Sequence, residues 1–248
     1  MCGFLDGAYQ TAALLEKQPG TIFTMGDDAQ INGTADEYNN CYAPTWGRQL
    51  DRTRPSPGNH DYQSGGGAYY NYFGSRAGPS GLGYYSYTIG AWRVYALNSE
   101  IPSQNGSPQA EWLQEELATN RSHCTMAYWH RPLFSSGRIG NNGDMRDLWR
   151  LLAEYDVDVV VNGHDHFYER FAPQDADGQP DPDNGIREFI VGTGGAPLSG
   201  IATVKPNSEI RANTWGVIAF TLSGTGYQWR FTSAGGSGFS DSGSGSCH

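Results

Sequence analysis

Short apolar runs punctuated by turn residues recur along the chain. Residues 21–25 (Thr-Ile-Phe-Thr-Met), 125–129 (Thr-Met-Ala-Tyr-Trp), 157–161 (Val-Asp-Val-Val-Val) and 187–191 (Arg-Glu-Phe-Ile-Val) read as buried strands. Residues 84–89 and 92–98 read the same way, and residues 51–57 form a weaker run, confined by Pro55 and Pro57 to a short or edge strand. Residues 216–222 and 227–232 alternate apolar and polar around Ser223-Gly224-Thr225-Gly226, which predicts a hairpin. Helical spacing appears at residues 8–17, stopped by Pro19-Gly20, and at 145–155, with Leu148, Leu151 and Leu152 on one face. A third helix opens at Ser107-Pro108, a capping Ser before a first-turn Pro, and carries Trp112, Leu113 and Leu117 inward. Residues 172–185, rich in Asp and Pro, read as a surface loop, and 233–248 as a Gly/Ser-rich tail, extended or mobile. Strands and helices alternate early and strands alone close the chain, so the pattern predicts a mixed α/β layered domain.

Four of these runs end in residues suited to metal ions. They deliver, in chain order, Gly26-Asp27-Asp28, Gly58-Asn59-His60-Asp61, His130-Arg131-Pro132 and Gly163-His164-Asp165-His166. Strand ends open into the crevices where ligands bind in α/β sheets. Two close divalent ions need a shared anionic oxygen and neutral donors around each. Asp27 can bridge, Asn59 offers an amide oxygen, and His130, His164 and His166 offer imidazole nitrogens. Ions about 3.5–4 Å apart clamp the attacking and leaving oxygens of a phosphoryl displacement and acidify water. His60 could protonate the leaving alkoxide, and Asp61 beside it could orient or charge-tune that ring. Each motif alone has a bland reading as an Asp turn, an Asx-turn or a hydrogen-bonded structural histidine. Their ordered recurrence after strand-like runs is what singles them out, and four of the six histidines fall within them.

These motifs resemble those of the calcineurin-like metallophosphoesterases, and the continuation Tyr168-Glu169-Arg170 is similar to the purple acid phosphatase branch. The resemblance implies two packed mixed β-sheets flanked by helices, with Asp27 bridging two divalent or transition metal ions (Fe, Zn or Mn). It assigns Asn59, His130 and His164 to one ion and His166 to the other. The implied activity is hydrolysis of small-molecule phosphate monoesters by direct attack of water. The alternatives are a phosphodiesterase or nucleotide hydrolase, or a carbohydrate-binding or adhesion domain with a relict site.

Two departures stand out. The family carries a metal-binding Asp at the end of a strand upstream of Gly26-Asp27, whereas this chain begins Met1-Cys2-Gly3-Phe4-Leu5-Asp6, and Asp6 reads as a helix N-cap. The expectation is a single domain over 1–248 lacking its first strand and first metal motif. Gln30 stands where purple acid phosphatases carry a Tyr, which argues against a ferric–tyrosinate centre.

The remaining features are less specific. Gly192-Thr193-Gly194-Gly195 lacks the Lys-Ser/Thr of a phosphate-binding loop and reads as a turn near the site mouth. Residues 69–73 (Tyr-Tyr-Asn-Tyr-Phe) read mostly as core rather than a substrate-facing wall. Arg131 could meet a substrate phosphate, or form a surface ion pair. A net charge of −10 makes nucleic acid a poor partner, and no apolar stretch is long enough to span a membrane. Cys2, Cys41, Cys124 and Cys247 contain no Cys-x-x-Cys pair and suggest one or two disulfides in a secreted or periplasmic protein, with pairing open.

Overall fold

Strands that read as unbroken apolar runs lie where both sheet faces are covered. In the computed structural model, which describes residues 5–248, the chain order begins α1 (Leu5–Leu15), β1 (Ile22–Met25), α2 (Ala35–Glu37), β2 (Thr53–Ser56), α3 (Asn59–Tyr62) and α4 (Gly67–Phe73). It continues β3 (Tyr85–Ile89), β4 (Trp92–Ala96), α5 (Pro108–Thr119), β5 (Cys124–Trp129), α6 (Arg146–Glu154) and β6 (Val159–Asn162). The chain closes with β7 (Tyr168–Phe171), β8 (Arg187–Val191), β9 (Ser208–Ala212), β10 (Gly216–Leu222), β11 (Gly226–Ser233) and β12 (Ser240–Ser246).

Seven strands form one mixed sheet in the order β3-β4-β5-β6-β8-β7-β9. Its centre, β4 to β8, is parallel, and the β3/β4, β7/β8 and β7/β9 pairs are antiparallel. One face packs on α5 and α6 through Leu113, Leu117, Leu148, Trp149 and Leu152. Ser107 caps α5 by accepting a hydrogen bond from the Ala110 N–H, with Pro108 in the first turn, as its sequence predicts. The other face packs on a second β layer through Val94, Met126, Tyr128, Phe189, Trp229 and Phe231. With both faces covered, β5 and β6 are buried along their whole length. The expected α/β architecture of two sheet layers and flanking helices is therefore present.

The second layer consists of two small sheets, parallel β1-β2 and antiparallel β10-β11-β12. Phe23 of β1 packs on Phe220 of β10, and Ile22 clusters with Val217. No strand pairing joins β1 to β10 among the described residues. Between them runs an apolar slot of about 240 Å³, floored by Val94 and Met126 of the main sheet.

Two sequence expectations change and one holds. Asp6 lies within the first turn of α1 rather than capping it, where its negative charge suits the helix dipole. Tyr69 and Phe73 of α4 are buried as core, as expected, in an aromatic cluster with Tyr38 and Tyr42. The tail is ordered, because β12 pairs with β11 in the register Trp229↔Gly243 and Tyr227↔Gly245. A Cβ on Gly243 or Gly245 would lie 2.3 Å or 2.5 Å from those two rings, so the aromatic side chains lie directly over the glycines. Buried Asp241 accepts hydrogen bonds from Tyr168 Oη at 2.7 Å, Arg170 Nε at 2.8 Å and Trp229 Nε1 at 3.0 Å. A Cys124–Cys247 disulfide then fastens the strand end across 123 residues of sequence. Cys41 is also disulfide-bonded, and Cys2 lies outside the described residues.

Candidate metal centre

Parallel pairing brings the four motifs to one end of the molecule. β1 and β2 pair in register to Met25↔Ser56, so Gly26-Asp27 and Gly58-Asn59 leave side by side. β5 and β6 pair to Trp129↔Asn162, which sets His130 beside the turn holding His164. The first two loops cross in contact: a Cβ on Gly26 would lie 2.5 Å from Gly58 N and 2.8 Å from His130 Nδ1. A Cβ on Gly58 would lie 2.4 Å from Asp27 Oδ1, so only glycine permits this crossing. Asp27 (φ 58°) and His164 (φ 67°) both adopt the left-handed conformation. That costs a non-glycine residue about 1–3 kcal/mol and gathers at functional sites.

The ring orientations follow from backbone acceptors. His130 Nδ1 lies 2.7 Å from Met25 O and donates to it, which turns Nε2 inward. Nε2 is 3.0 Å from Asn59 Oδ1, 3.2 Å from Asp27 Oδ2 and 2.9 Å from His164 Nδ1. The ligand atoms of Asp27, His130 and His164 all lie within 4.8 Å of one another. One carboxylate oxygen, one amide oxygen and two imidazole nitrogens are a donor set that fits a borderline divalent ion. Asp27 Oδ1 accepts the His60 N–H at 2.8 Å, so Oδ2 is the oxygen turned toward the cluster. His166 lines the same cavity of about 170 Å³. Its Nδ1 donates to Pro197 O at 2.8 Å and its N–H to Ser199 Oγ at 3.0 Å, which leaves Nε2 to accept.

Charge and burial act together here. Burial alone would raise the Asp27 carboxyl, but the charges of His130 and His60 hold it well below its usual range. Burial likewise works against a charged His130, yet the Asp27 carboxylate beside it raises its pKa. His164 is pushed down to about 3 by burial and by the neighbouring charges of His130 and Arg131. It is therefore neutral near pH 7, the form that can donate a lone pair.

Other expected site residues sit differently. The His60 ring is oriented by Ile31 O, 2.6 Å from Nδ1, and its Nε2 lies 3.9 Å from Asp27 Oδ2. Asp61 does not serve that ring. It occupies the third position of the one-turn helix α3, and its fully buried carboxylate folds back onto Gly58 N and Asp27 N, both at 2.8 Å. It also accepts from Ala29 N at 3.3 Å and Tyr38 Oη at 2.5 Å, so it ties the two crossing loops together. Burial and the nearby Asp27 charge raise its pKa to about 6, against the pull of the Tyr38 hydrogen bond. Arg131 pairs with Glu100 at 2.9 Å and 3.1 Å and sets Nη1 3.3 Å from His164 Nε2. Gln30 lines the cavity, as do Gly192, Gly194 and Gly195, the turn expected near the site mouth. The carbonyls of Met25, Ile31 and Pro197 that aim the imidazoles left no mark in the sequence, since every residue has a carbonyl.

Comparisons with known proteins bear on the family and the fold. A sequence profile described as calcineurin-like phosphoesterase matches residues 6–168. An uncharacterised protein of Mycobacterium tuberculosis is 35% identical over 147 residues, covering 48% of this chain and 28% of that protein. Purple acid phosphatase 15 of Arabidopsis thaliana is 28% identical over 195 residues, 63% of this chain and 37% of its own length. The chain thus spans well under half of these relatives. Among solved structures, the purple acid phosphatase PPD1 from yellow lupin seeds superimposes with a TM-score of 0.83 at 22% identity, covering 97% of this chain and 48% of that one. GAP50, the anchor in the inner membrane complex of Plasmodium, gives 0.72 at 16% identity over 92% of this chain and 80% of its own. At such identities the two structures speak for the fold alone. The chain belongs to the calcineurin-like phosphoesterase family, and its relatives include purple acid phosphatases.

Proposed function

We propose that the protein hydrolyses small-molecule phosphate monoesters by direct attack of water at a metal centre. Asp27, Asn59, His130 and His164 would hold one ion, and His166 with Asp27 a second. The observation that carries this reading is the convergence of Asp27 Oδ2, Asn59 Oδ1 and His164 Nδ1 within 3.2 Å of His130 Nε2. Zinc, manganese or iron there would neutralise phosphoryl charge and make water acidic enough to attack near neutral pH. The protein's own contribution is to fix the donors and to supply a proton. His60, with Nδ1 committed to Ile31 O, keeps Nε2 toward the site, where it can protonate a leaving alkoxide. No serine or cysteine nucleophile is needed. With Gln30 in place of a phenol, an iron-loaded protein would show no tyrosinate charge-transfer colour.

His166 and the Asp27 bridge supply few donors for the second ion. The slot between β1 and β10 supports the reading that the domain accommodates one more strand there. Such a strand would join the two small sheets, and a carboxylate at its end would give the second ion a further donor. The disulfides fit an oxidising compartment, so we place the protein outside the cytoplasm. No helix among the described residues is long and apolar enough to cross a membrane.

The test is phosphate release from an aryl phosphate by protein stripped of metal and then given zinc, manganese or iron. A slow, metal-dependent rate that is lost in His164→Ala supports the proposal. Absence of any rate in protein shown to hold the metal would overturn it and favour an adhesion or binding role. A preference for a bis-aryl diester would move the reading to a phosphodiesterase.

A further inference from the structure

Between the two histidines of the last motif lies a carboxylate that faces away from the cavity. His164 and His166 line the cavity, whereas Asp165 is fully buried and does not. Its Oδ2 accepts from Ser135 Oγ at 2.6 Å and Gly140 N at 3.1 Å, and its Oδ1 accepts from Ile139 N at 3.1 Å. These three donors belong to one loop, residues 135–140, which follows His130-Arg131-Pro132 closely in the chain. Ser135 Oγ in turn accepts from Gly137 N at 3.0 Å, so the hydroxyl is held as a donor to the carboxylate. The loop runs tight over the acid: a Cβ on Gly137 would lie 2.2 Å from Asp165 Oδ1. On the backbone side, a Cβ on Gly192 would lie 2.2 Å from Asp165 O, so the residue is clamped from two directions.

We infer that Asp165 is a positioning residue for the metal ligands: it locks the turn His164-Asp165-His166, which opens on the left-handed His164, to the loop that follows His130, and so fixes the spacing of the three imidazoles. The inference rests on the metal reading above. A carboxylate suits the task because it only accepts, and here it meets three donors. An asparagine in its place would turn an NH2 donor toward either the Ile139 N–H or the Gly140 N–H, and neither amide can reverse its role. The loop would then detach from the turn on at least one side. A left-handed residue such as His164 keeps its conformation only while its surroundings impose it. Loosening the anchor should let the His164 ring drift from His130 and the His166 ring from its place in the cavity wall.

The experiment is equilibrium dialysis of the 248-residue protein with cobalt(II), read together with the cobalt visible spectrum, which reports ligand number and geometry. Asp165→Asn should weaken cobalt binding by about 10–100-fold, the range typical of groups that orient metal ligands, and should alter the spectrum. Its far-UV circular dichroism should stay unchanged. Ser135→Ala, a milder cut at the same anchor, should shift affinity in the same direction by a smaller factor. Asp158→Asn is the control for simple destabilisation, since Asp158 accepts from Thr125 N and His248 N at the far end of the same strands. It should lower the melting temperature without moving the cobalt spectrum. If Asp165→Asn and Ser135→Ala both bind cobalt with the parent's affinity and spectrum, the positioning role is wrong. If the parent protein binds no cobalt, the metal reading itself fails, a distinguishable result.

Discussion

The two halves of the candidate centre are built to different standards. In one, His130 and His164 are buried, His130 is aimed by a carbonyl of the neighbouring strand β1, and Asn59 and Asp27 close within 3.2 Å. In the other, His166 is partly exposed, its ring is aimed by Pro197 and its backbone N–H is held by Ser199, and neither partner belongs to a strand. Donor density and burial therefore fall together from the first half to the second. Affinity for an ion depends on how many hydration ligands the protein replaces and how little it must reorganise, so the first half should bind much the tighter.

The first half of the centre should depend on every one of its ligands. His130→Ala or His164→Ala should remove the tight ion and lower kcat/KM for an aryl phosphate by about 1000-fold or more. Metal charge stabilisation is worth several kcal/mol, at 1.36 kcal/mol per tenfold. Metal analysis and steady-state rates on the same samples check this. Asn59→Ala should act in the same direction, since it removes the amide oxygen 3.0 Å from His130 Nε2.

His60→Ala sharpens the division between holding metal and moving a proton. It should slow alkyl phosphates, which have poor leaving groups, by about 100-fold while leaving metal content intact. Nitrophenyl phosphate should suffer much less, and an equal loss for both substrates would make His60 a ligand or a positional residue. His166→Ala should then reduce only the weak second binding event and leave the tight one in place, as read by the stoichiometry of a zinc titration.

The smallest effect concerns stability away from the centre. The hydrogen bonds from Arg170, Tyr168 and Trp229 hold the Asp241 carboxyl below its ordinary range, although burial alone would raise it. A depressed folded-state pKa means a stabilisation fully present above the unfolded value near ~3.9 and lost as pH falls through the lower folded value. Asp241→Asn should thus cost about 1–3 kcal/mol at pH 7. The gap between the melting curves of variant and parent should narrow below about pH 4.

The residues differ in how plainly the sequence exposed them. Strands with both faces covered announce themselves as apolar runs, and the motifs at their ends were legible because parallel pairing puts those ends together. The role of Asp61 was not, because adjacency in sequence suggested contact with His60, whereas neighbours on a helical turn point apart. Its position in α3 instead returns the carboxylate to the Gly58 N–H. Strand β12 was hidden by composition. Residues 240–246 alternate Ser outward with Asp241, Gly243 and Gly245 inward, a period-two pattern whose inward members carry almost no apolar signal. The hydrophobic cover comes from Tyr227 and Trp229 on the partner strand. The split of the second layer into two sheets likewise depends on edges that no local pattern encodes.

A calorimetric titration of the metal-free 248-residue protein with zinc reads the inequality of the two halves directly. One tight binding event, abolished in His164→Ala, should be followed by a distinctly weaker one that disappears in His166→Ala. Two equally tight sites, or a tight event that survives His164→Ala, would contradict it.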